Sequence, residues 1–590
     1  MEAGLNVGRA VLLIAAVLLL IRLPFLNQAI QGDDDTYISE AQHALIEPLH
    51  PAHTSYVFQG VEVDLRGHPH PPLDAWVLAG LLALFGEVKE VPFHAAYIAF
   101  SLIAAAAMWS LSRRFSPQPV WATLLFLAVP PFVVNGNSLE SDLPLLAFWM
   151  AAIALFCARR LVLAAVAMAL AATAAYQAVF LTPILALYVW LYRRRDWPSW
   201  AALLTPPAVL AAWQIFERLS TGALPAAVLT GYFGAYGFQA LALKIRNAAA
   251  LAIHACFLIF PPLLPAALLL AWRKRRQPDV LFLFGWIAVF FAGAVAVFFA
   301  GSARYLLPIA APLALLASHL RARWLAVGFA AQLALGLGLA AVNYQHWDGY
   351  RRFAQALRAS AAGHRVWVDG EWALRFYLEA DGALPLRKTQ RLRPQDIVVS
   401  SELGHAVDYT APRSTIARMD IQPALPLRLI GLESNAAFST ASRGLWPFGF
   451  SSGVIDRLRA DLIGERLVTL GYLPMIAPEA AGQIVTGIFA DHWMGASATV
   501  VLKSPPQPEP LSLTFYIPPQ ARARRIALWL DGREVAAHIY PGAGTYTLES
   551  DPLRPSGATA AVEIRVDQTF NVPGDRRDLG IVLAAVGFAP

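Results

Sequence analysis

The stretch RRLVLAAVAMALAATAAYQAVFLTPILALYVWLYRRR, residues 159–195, decides the fold that this sequence predicts. A bilayer core takes about 20 apolar residues per helix, so the run at 161–192 is too long for one span. Basic residues stand at both of its ends, and basic clusters favour the cytoplasmic side of a membrane. Both ends then lie on one side, which predicts two short spans joined by a tight turn near Tyr176 and Gln177.

Similar apolar runs recur up to about residue 342 and indicate a polytopic membrane protein. Hydrophobic residues make up 57% of the 590 residues and charged residues 15%, and the mean hydropathy is +0.50. Soluble proteins of this length rarely have such a composition. We predict about eleven spanning helices, at about 10–26, 93–112, 118–134, 142–158, 161–176, 177–192, 199–217, 250–272, 279–300, 305–319 and 324–342.

Basic clusters between the apolar runs predict the orientation of the chain. They lie at residues 113–114, 159–160, 193–195, 273–276 and 321–323. The positive-inside rule places them, and the N-terminus, in the cytoplasm of a multi-pass protein of a bacterial inner or plasma membrane. Two long loops, at 27–92 and 218–250, and everything after the last span then lie outside, and the modest net charge of +6 gives no reason to expect nucleic-acid binding.

The composition changes after Val342, where prolines, charges and strand-like runs appear. A strand, a helix and a strand at 364–400 predict a small α/β unit, which we place at 343–430. Short strands from about residue 495, with a hairpin signal at Asp531-Gly532, predict a jelly-roll-like β-sandwich at 431–590. The predicted fold class is thus a polytopic α-helical membrane domain (1–342) followed by an extracytoplasmic region with an α/β unit and a β-sandwich.

Three consecutive carboxylates, Asp33 to Asp35, follow the first predicted span in the stretch GDDDTY. Like charges at a membrane surface repel one another and are costly to desolvate. One interpretation is structural, because an aspartate caps a helix that begins near Thr36 and acidic residues suit its first turn. Capping needs only one aspartate, so the others are candidates for a catalytic or metal-binding role, such as a general base toward a hydroxyl group.

Two histidines, His68 and His70, alternate with prolines in the stretch RGHPHPPLDAW, residues 66–76. Proline keeps the residue before it extended, so both imidazoles lie on a stiff segment. Such a pair can bind a metal or a phosphate. The alternative is a solvated or helix-capping loop.

Further polar residues stand at predicted helix ends. Asp142 either caps the helix that it begins or faces Asp33 as a second acid. Lys244, Arg246 and Arg304 lie on the side where basic residues are otherwise sparse, and Arg304 starts a helix, where the macrodipole disfavours a cation. A bound phosphate would offset that cost, and the alternative is snorkelling toward lipid headgroups.

In their order along the chain, these motifs resemble those of GT-C fold glycosyltransferases of the protein-mannosyltransferase and aminoarabinose-transferase type. The family's Asp-Glu-x-x-aromatic motif matches residues 33–37, and its Lys/His-Pro-Pro-Leu segment matches residues 70–73. Its second acid matches Asp142, and its Arg-Tyr-x-x-Pro motif matches residues 304–308. The resemblance covers about residues 1–400.

The resemblance implies a polyprenyl-phosphate-linked sugar as donor, a lipid, glycan or protein as acceptor, and inversion at the anomeric carbon. It implies that Asp33 is the catalytic base, with Asp34 and Asp142 as its acidic neighbours. The residues implied for donor-phosphate binding are Arg304, Tyr305, Lys244, Arg246 and His70, and those implied for positioning are Asp35, Tyr37 and His68. No cofactor is certain, and a divalent metal held by Asp33, Asp34, His68 and His70 stays open. Aminoarabinose-type members carry Glu-Lys where this chain has Pro69-His70.

Two other functional classes are alternatives. A transporter or lipid flippase places ionisable residues at mid-membrane, whereas the centres of the predicted spans here contain essentially no charge. A non-catalytic glycan-binding or assembly protein would use the sandwich as its working part. The stretches DHWMGASATVVL (491–502) and FNVPGDRRDLGIVL (570–583) resemble a sandwich that is appended to many bacterial glycosyltransferases, with sugar or acceptor binding as its open role.

Overall fold

A computed structural model describes residues 7–67, 70–222, 224–227, 239–298, 301–405, 407–436, 438, 444–464, 468–477, 479–489, 491–572, 575 and 577–588. Five of the described helices are long and apolar enough to cross a membrane, namely Val7–Phe25, Glu90–Phe115, Trp197–Thr221, Pro278–Val297 and Ala322–Ala361. Shorter apolar helices stand between them in the chain. Strands dominate the chain after residue 365, so the predicted fold class, a helical membrane domain followed by a strand-rich region, is confirmed.

The described part of the membrane domain contains helices of 6 to 40 residues. They are α1 (Val7–Arg22), α2 (Asp34–Ala44), α3 (Leu73–Phe85), α4 (Glu90–Phe115), α5 (Pro119–Leu127), α6 (Pro130–Asn135), α7 (Asp142–Cys157), α8 (Leu161–Ala174), α9 (Leu181–Tyr192), α10 (Trp197–Ala202), α11 (Thr205–Thr221), α12 (Gln239–Ala255), α13 (Leu263–Arg273), α14 (Pro278–Val297), α15 (Leu307–Ala317) and α16 (Ala322–Ala361). Two of these helices, α2 and α3, lie within the long loop at 27–92.

Prolines interrupt two of the predicted spans. The span predicted at 118–134 consists of α5 and α6, which are separated where Pro130 and Pro131 begin a new helix. The span predicted at 250–272 consists of the end of α12 and α13, with Pro261 and Pro262 between them. Proline has no backbone N–H and clashes with the preceding turn, so it favours a break in the helix at these points.

The long apolar run at 161–192 folds back on itself as predicted. Helix α8 ends at Ala175, whose backbone is extended (φ −160°, ψ 151°), and a 3-10 turn from Tyr176 leads into α9. At the other end, the Arg193 guanidinium donates hydrogen bonds to the carbonyl oxygens of Phe156 (3.0 Å) and Cys157 (2.8 Å). The two ends of the run therefore lie side by side, and the chain passes through the bundle twice.

Span ends that carry basic clusters meet at one end of the bundle. The Arg114 guanidinium lies over the Tyr192 ring, at 5.5 Å from its centroid, and the Tyr192 hydroxyl donates to Asp279. The Gln118 amide donates to the carbonyl oxygen of Ser318 at 2.7 Å. Which side of the membrane this end faces stays a prediction.

Within the described ranges, the strands form one hairpin and three sheets. They are β1 (Ser55–Phe58), β2 (Val61–Asp64), β3 (Val366–Asp369), β4 (Leu384–Pro385), β5 (Ile397–Ser401), β6 (Arg413–Ile421), β7 (Asp456–Ile463), β8 (Tyr472–Pro474), β9 (Ile484–Ile488), β10 (Met494–Lys503), β11 (Glu509–Ile517), β12 (Arg524–Leu530), β13 (Arg533–Tyr540), β14 (Gly544–Leu553), β15 (Thr559–Val566) and β16 (Val582–Phe588). Two further helices, α17 (Trp372–Ala380) and α18 (Ala480–Gln483), lie among them.

The α/β unit has a sheet of order β4-β3-β5-β7-β6, in which β3 is parallel to β4 and β5 while the other neighbours are antiparallel. Because β7 ends at Ile463, this sheet extends past residue 430, where the sequence analysis placed the end of the unit. The sandwich follows, with sheets of order β13-β12-β15-β10-β9 and β14-β11-β16-β8. Asp531 (φ 47°) and Gly532 (φ 87°) form the predicted hairpin turn between β12 and β13.

The α/β unit docks on the loop that follows the first span. The Arg375 guanidinium of α17 lies 3.8 Å above the Tyr56 ring of the β1–β2 hairpin. The Gln59 N–H donates to Glu371 at 2.7 Å, and the Tyr377 hydroxyl donates to Glu90 at 2.8 Å. The loop, the start of α4 and the soluble region therefore lie at the end of the bundle opposite the basic clusters.

Candidate active site

The three consecutive aspartates of residues 33–35 point in three directions. Asp33 is the N-terminal residue that precedes α2, and its side chain is 53% exposed. Asp34 and Asp35 are buried in the first turn of α2. Successive residues of a helix point about 100° apart, so each carboxylate meets a different part of the molecule.

The Asp34 carboxylate holds the loop that follows α6. It accepts hydrogen bonds from the Ser138 hydroxyl at 3.0 Å and the Leu139 N–H at 2.9 Å, and from the Gln31 N–H at 3.0 Å. Burial raises the pKa of Asp34 to about 7, against these hydrogen bonds, which favour the charged form. Three protein donors therefore hold this carboxylate, and two of them belong to the loop at 137–141.

Asp35 connects α2 to the docked hairpin. It accepts a hydrogen bond from the Tyr56 hydroxyl at 2.9 Å. Burial, together with the charge of Glu379, raises the pKa of Asp35 to about 6, and the nearby Arg375 lowers it. The third aspartate therefore serves the contact with the α/β unit and does not face Asp33.

Arg304 is the centre of the charged cluster. Its side chain is 10% exposed, and its Nη2 lies 3.4 Å from Asp33 Oδ2. Its Nη1 forms ion pairs with Glu140 and, at 3.3 Å, with Asp142 Oδ2. The structure thus brings Asp33, Asp142 and Arg304 together as predicted, although they come from the loop after α1, the start of α7 and the turn before α15.

Glu140 is a site residue that the sequence analysis did not single out. It is buried, pairs with Arg304 and accepts a hydrogen bond from the Asp33 N–H at 3.2 Å. Gly32 lies against it, since a Cβ there would be 2.7 Å from Glu140 Oε1. Its position in the polar stretch NSLESDLP, two residues before Asp142, was the available signal.

His70 and Tyr37 meet at a common hydroxyl group. The Ser141 Oγ lies 2.9 Å from His70 Nδ1 and 3.2 Å from the Tyr37 hydroxyl. Helix α3 adds a buried pair beside them, in which the Tyr97 hydroxyl donates to Asp74 at 2.6 Å. These contacts place His70 next to the loop that carries Glu140. The other predicted histidine, His68, lies outside the described residues.

Three other residues implied for donor-phosphate binding, Lys244, Arg246 and Tyr305, lie in different surroundings. Lys244 Nζ donates to the carbonyl oxygens of Ala296 (2.7 Å) and Phe298 (2.8 Å), so it satisfies the C-terminal end of α14. Arg246 is exposed on α12, which packs against the turn of Arg304. Tyr305 stacks on the Phe298 ring, with 4.5 Å between the centroids.

A metal site does not emerge from the described part of the chain. No group of three or more His, Cys, Asp or Glu side chains among these residues is arranged to hold an ion. Asp34, one of the candidates, is occupied by protein donors.

Comparisons with known proteins bear on the same region. Residues 69–213 match the family model described as dolichyl-phosphate-mannose-protein mannosyltransferase. No curated protein matches the chain.

Solved structures of low sequence identity share parts of the architecture. ArnT from Cupriavidus metallidurans bound to undecaprenyl phosphate is 16% identical, with 67% of this chain and 94% of that chain covered and a TM-score of 0.46. The apo state of ArnT from Cupriavidus metallidurans is also 16% identical, with 66% of this chain and 93% of that chain covered and a TM-score of 0.42. The arabinofuranosyltransferase AftD from Mycobacteria is 12% identical, with 99% of this chain and 61% of that chain covered and a TM-score of 0.35.

The family match includes Glu140 and Asp142, which pair with Arg304, and also Ser141 and His70, which contact each other. The family model and the charged cluster therefore concern the same part of the molecule. Over residues 69–213, and in the order of its motifs, the chain is similar to the membrane glycosyltransferases of this family.

Proposed function

We propose that the protein transfers a sugar from a polyprenyl-phosphate-linked donor to an acceptor on the outer side of the membrane, with inversion, and that Asp33 is the general base. The observation that carries the proposal is the exposed Asp33 carboxylate held beside the buried Arg304 guanidinium, at 3.4 Å. A base must reach the solvent side to meet an acceptor, and it must be oriented by its surroundings. Asp33 meets both requirements, whereas Asp34 and Asp35 are buried.

The proposed reaction is a single displacement. The acceptor oxygen forms a bond to the anomeric carbon while the bond from that carbon to the phosphate oxygen breaks, and the acceptor proton passes to Asp33. The polyprenyl phosphate leaves with the electron pair of the broken bond. Because the acceptor and the leaving phosphate lie on opposite faces of the sugar, the anomeric configuration inverts.

The cations of the site have different parts in this proposal. Arg304 is shared among Asp33, Glu140 and Asp142, so it orients the acids and supplies positive charge where charge develops. Lys244 already donates to backbone carbonyls. We therefore assign the contact with the leaving phosphate to Arg304 together with the exposed Arg246 and with His70.

The test is Asp33→Asn in membranes supplied with a polyprenyl-phosphate sugar and an acceptor. Asparagine keeps the size of the side chain but cannot take the proton, so the transfer rate should fall by about 100-fold or more. Asp64→Asn is the matched control, because Asp64 lies in the same loop and pairs with Arg66, two residues away. Transfer by Asp33→Asn at a near-normal rate would show that Asp33 is not the base.

A further inference from the structure

A cleft of about 1090 Å³ lies between the α/β unit and the sandwich. On one side it is lined by Asp369 and Ser401, at the carboxyl ends of the parallel strands β3 and β5. Ligands of open α/β sheets bind outside the carboxyl ends of such strands. The described residues that line the cleft do not include those around Arg304, so it is separate from the site of transfer.

The other side of the cleft carries both stretches of the sandwich that the sequence analysis singled out. Asp491 and His492 come from the first stretch and Arg577 from the second. The Arg577 guanidinium donates to both carboxylate oxygens of Asp491, each at 2.8 Å, and lies 4.8 Å from the centroid of the Phe489 ring. The stretches thus meet at the cleft through a bidentate pair backed by an aromatic ring.

The connection between β9 and β10 brings these residues to the cleft. His492 lies in this connection with φ 67°, and the Phe489 N–H donates to the Trp493 carbonyl oxygen at 2.7 Å. The His492 carbonyl oxygen accepts a hydrogen bond from the Leu583 N–H at 2.9 Å, which joins the connection to β16.

The charges of the cleft indicate which ligand it fits. Its arginines pair with carboxylates, Arg457 with Glu402 and Arg459 with Asp461, for example, as Arg577 does with Asp491. Paired charges leave little net field to attract an anion. They still present donors and acceptors in fixed planes, which suits a ligand with many hydroxyl groups and no charge.

We propose that this cleft binds a neutral oligosaccharide segment of the acceptor. The inference rests on the proposed function, because it names the acceptor class of that reaction. A polymer held here would stay near the enzyme between encounters with the site of transfer. Binding itself requires neither the donor nor Asp33, so it can be measured separately.

The experiment uses the full-length protein in nanodiscs and saturation-transfer NMR. The probes are neutral hexasaccharides of glucose, mannose and galactose, with a hexasaccharide of galacturonic acid as the acidic comparison. At least one neutral probe should bind the wild type more tightly than the acidic one. Arg577→Ala should weaken that binding by about tenfold, because Asp491 loses the guanidinium that fixes its carboxylate at the cleft. Arg525→Ala, which removes a paired arginine elsewhere on the sandwich, should not change binding.

A second variant separates a loss of binding from a loss of folding. Arg418 also lines the cleft and its side chain is 65% exposed, so Arg418→Ala should weaken binding while the unfolding temperature is unchanged. Absence of binding by every neutral probe, preference for the acidic probe, or equal affinity of the cleft variants and wild type would overturn the proposal. Each of these results can occur while Asp33→Asn still abolishes transfer, so failure of the cleft and failure of the proposed base are distinguishable.

Discussion

At the scale of residues, one short run of identical side chains has three functions. Asp33 faces Arg304, Asp34 fixes the loop at 137–141, and Asp35 binds Tyr56. The sequence indicated that capping alone does not explain three aspartates. It did not indicate which of them is exposed, because that depends on Ser138 and Tyr56, which reach α2 from elsewhere in the chain.

A prediction at this scale concerns Glu140. Replacing Glu140 by glutamine removes one of the three carboxylates that pair with Arg304. The guanidinium should then turn toward Asp33 and Asp142, which changes the position of the Asp33 carboxylate. We expect kcat for transfer to fall by about 10- to 100-fold, with a smaller change in KM for the donor.

The control for this prediction is Glu534→Gln. Glu534 also pairs with an arginine, Arg525, but is partly exposed and lies on the sandwich, away from the cleft. Steady-state kinetics of the two variants side by side would check the role of Glu140. An unchanged kcat for Glu140→Gln would mean that Arg304 does not depend on this partner.

The role of Glu140 could not be predicted from the sequence around it. The stretch NSLESDLP, residues 137–144, is polar, and the helix start within it favours Asp142 as the candidate acid. A glutamate just before a helix has no local pattern that reveals its partner. The Arg304 guanidinium, which decides the role of Glu140, lies far away in sequence and arrives only through the packing of α15 and α7.

At the scale of elements, the docking of α17 on the β1–β2 hairpin should depend on pH. Burial raises the pKa of Glu371 to about 7 and that of Asp35 to about 6. Both pKa values exceed those of the same groups in the unfolded chain, which are about 4. Between about pH 4 and 7 the folded state therefore binds more protons, and the free energy of unfolding of this contact falls as the pH rises.

Hydrogen exchange of residues 55–60, corrected for the intrinsic rate, measures this effect. Protection should be greater at pH 5 than at pH 8, and Glu371→Gln should reduce the difference. Glu62→Gln serves as the control, because Glu62 lies on the same hairpin but is half-exposed and pairs with Arg387. Equal protection at both pH values would contradict the assignment of these two acids.

Some strands and helices have a recognisable pattern in their own sequence, and others do not. The strand, helix and strand at 364–400 and the strands after residue 495 alternate clearly and were predicted. The hairpin β1–β2 was not, although Gln59 (φ 50°) and Gly60 (φ 71°) form its tight turn. Its strands have four residues each and pack against Arg375, so their stability comes from the docked unit.

At the scale of the whole molecule, the cluster around Arg304 constrains the topology. Arg304 contacts Asp33 and Asp142, so the chain must cross the membrane an even number of times between residues 142 and 304. One long span at 161–192 would have made that number odd. The fold-back at Ala175 and the contacts of Arg193 with Phe156 are therefore a condition for the site to exist.

Labelling of single cysteines can test which end of the bundle faces outward. In a chain whose native cysteines, Cys157 and Cys256, are replaced by serine, a cysteine is placed at Glu87, near the start of α4, or at Arg194, beside the basic clusters. Both positions are exposed. The positive-inside rule predicts that an impermeant maleimide labels Glu87→Cys in intact cells and Arg194→Cys only after permeabilisation. The reverse result would place the Asp33–Arg304 cluster in the cytoplasm, where an acceptor outside the cell could not reach it, and the proposed reaction would need a cytoplasmic acceptor instead.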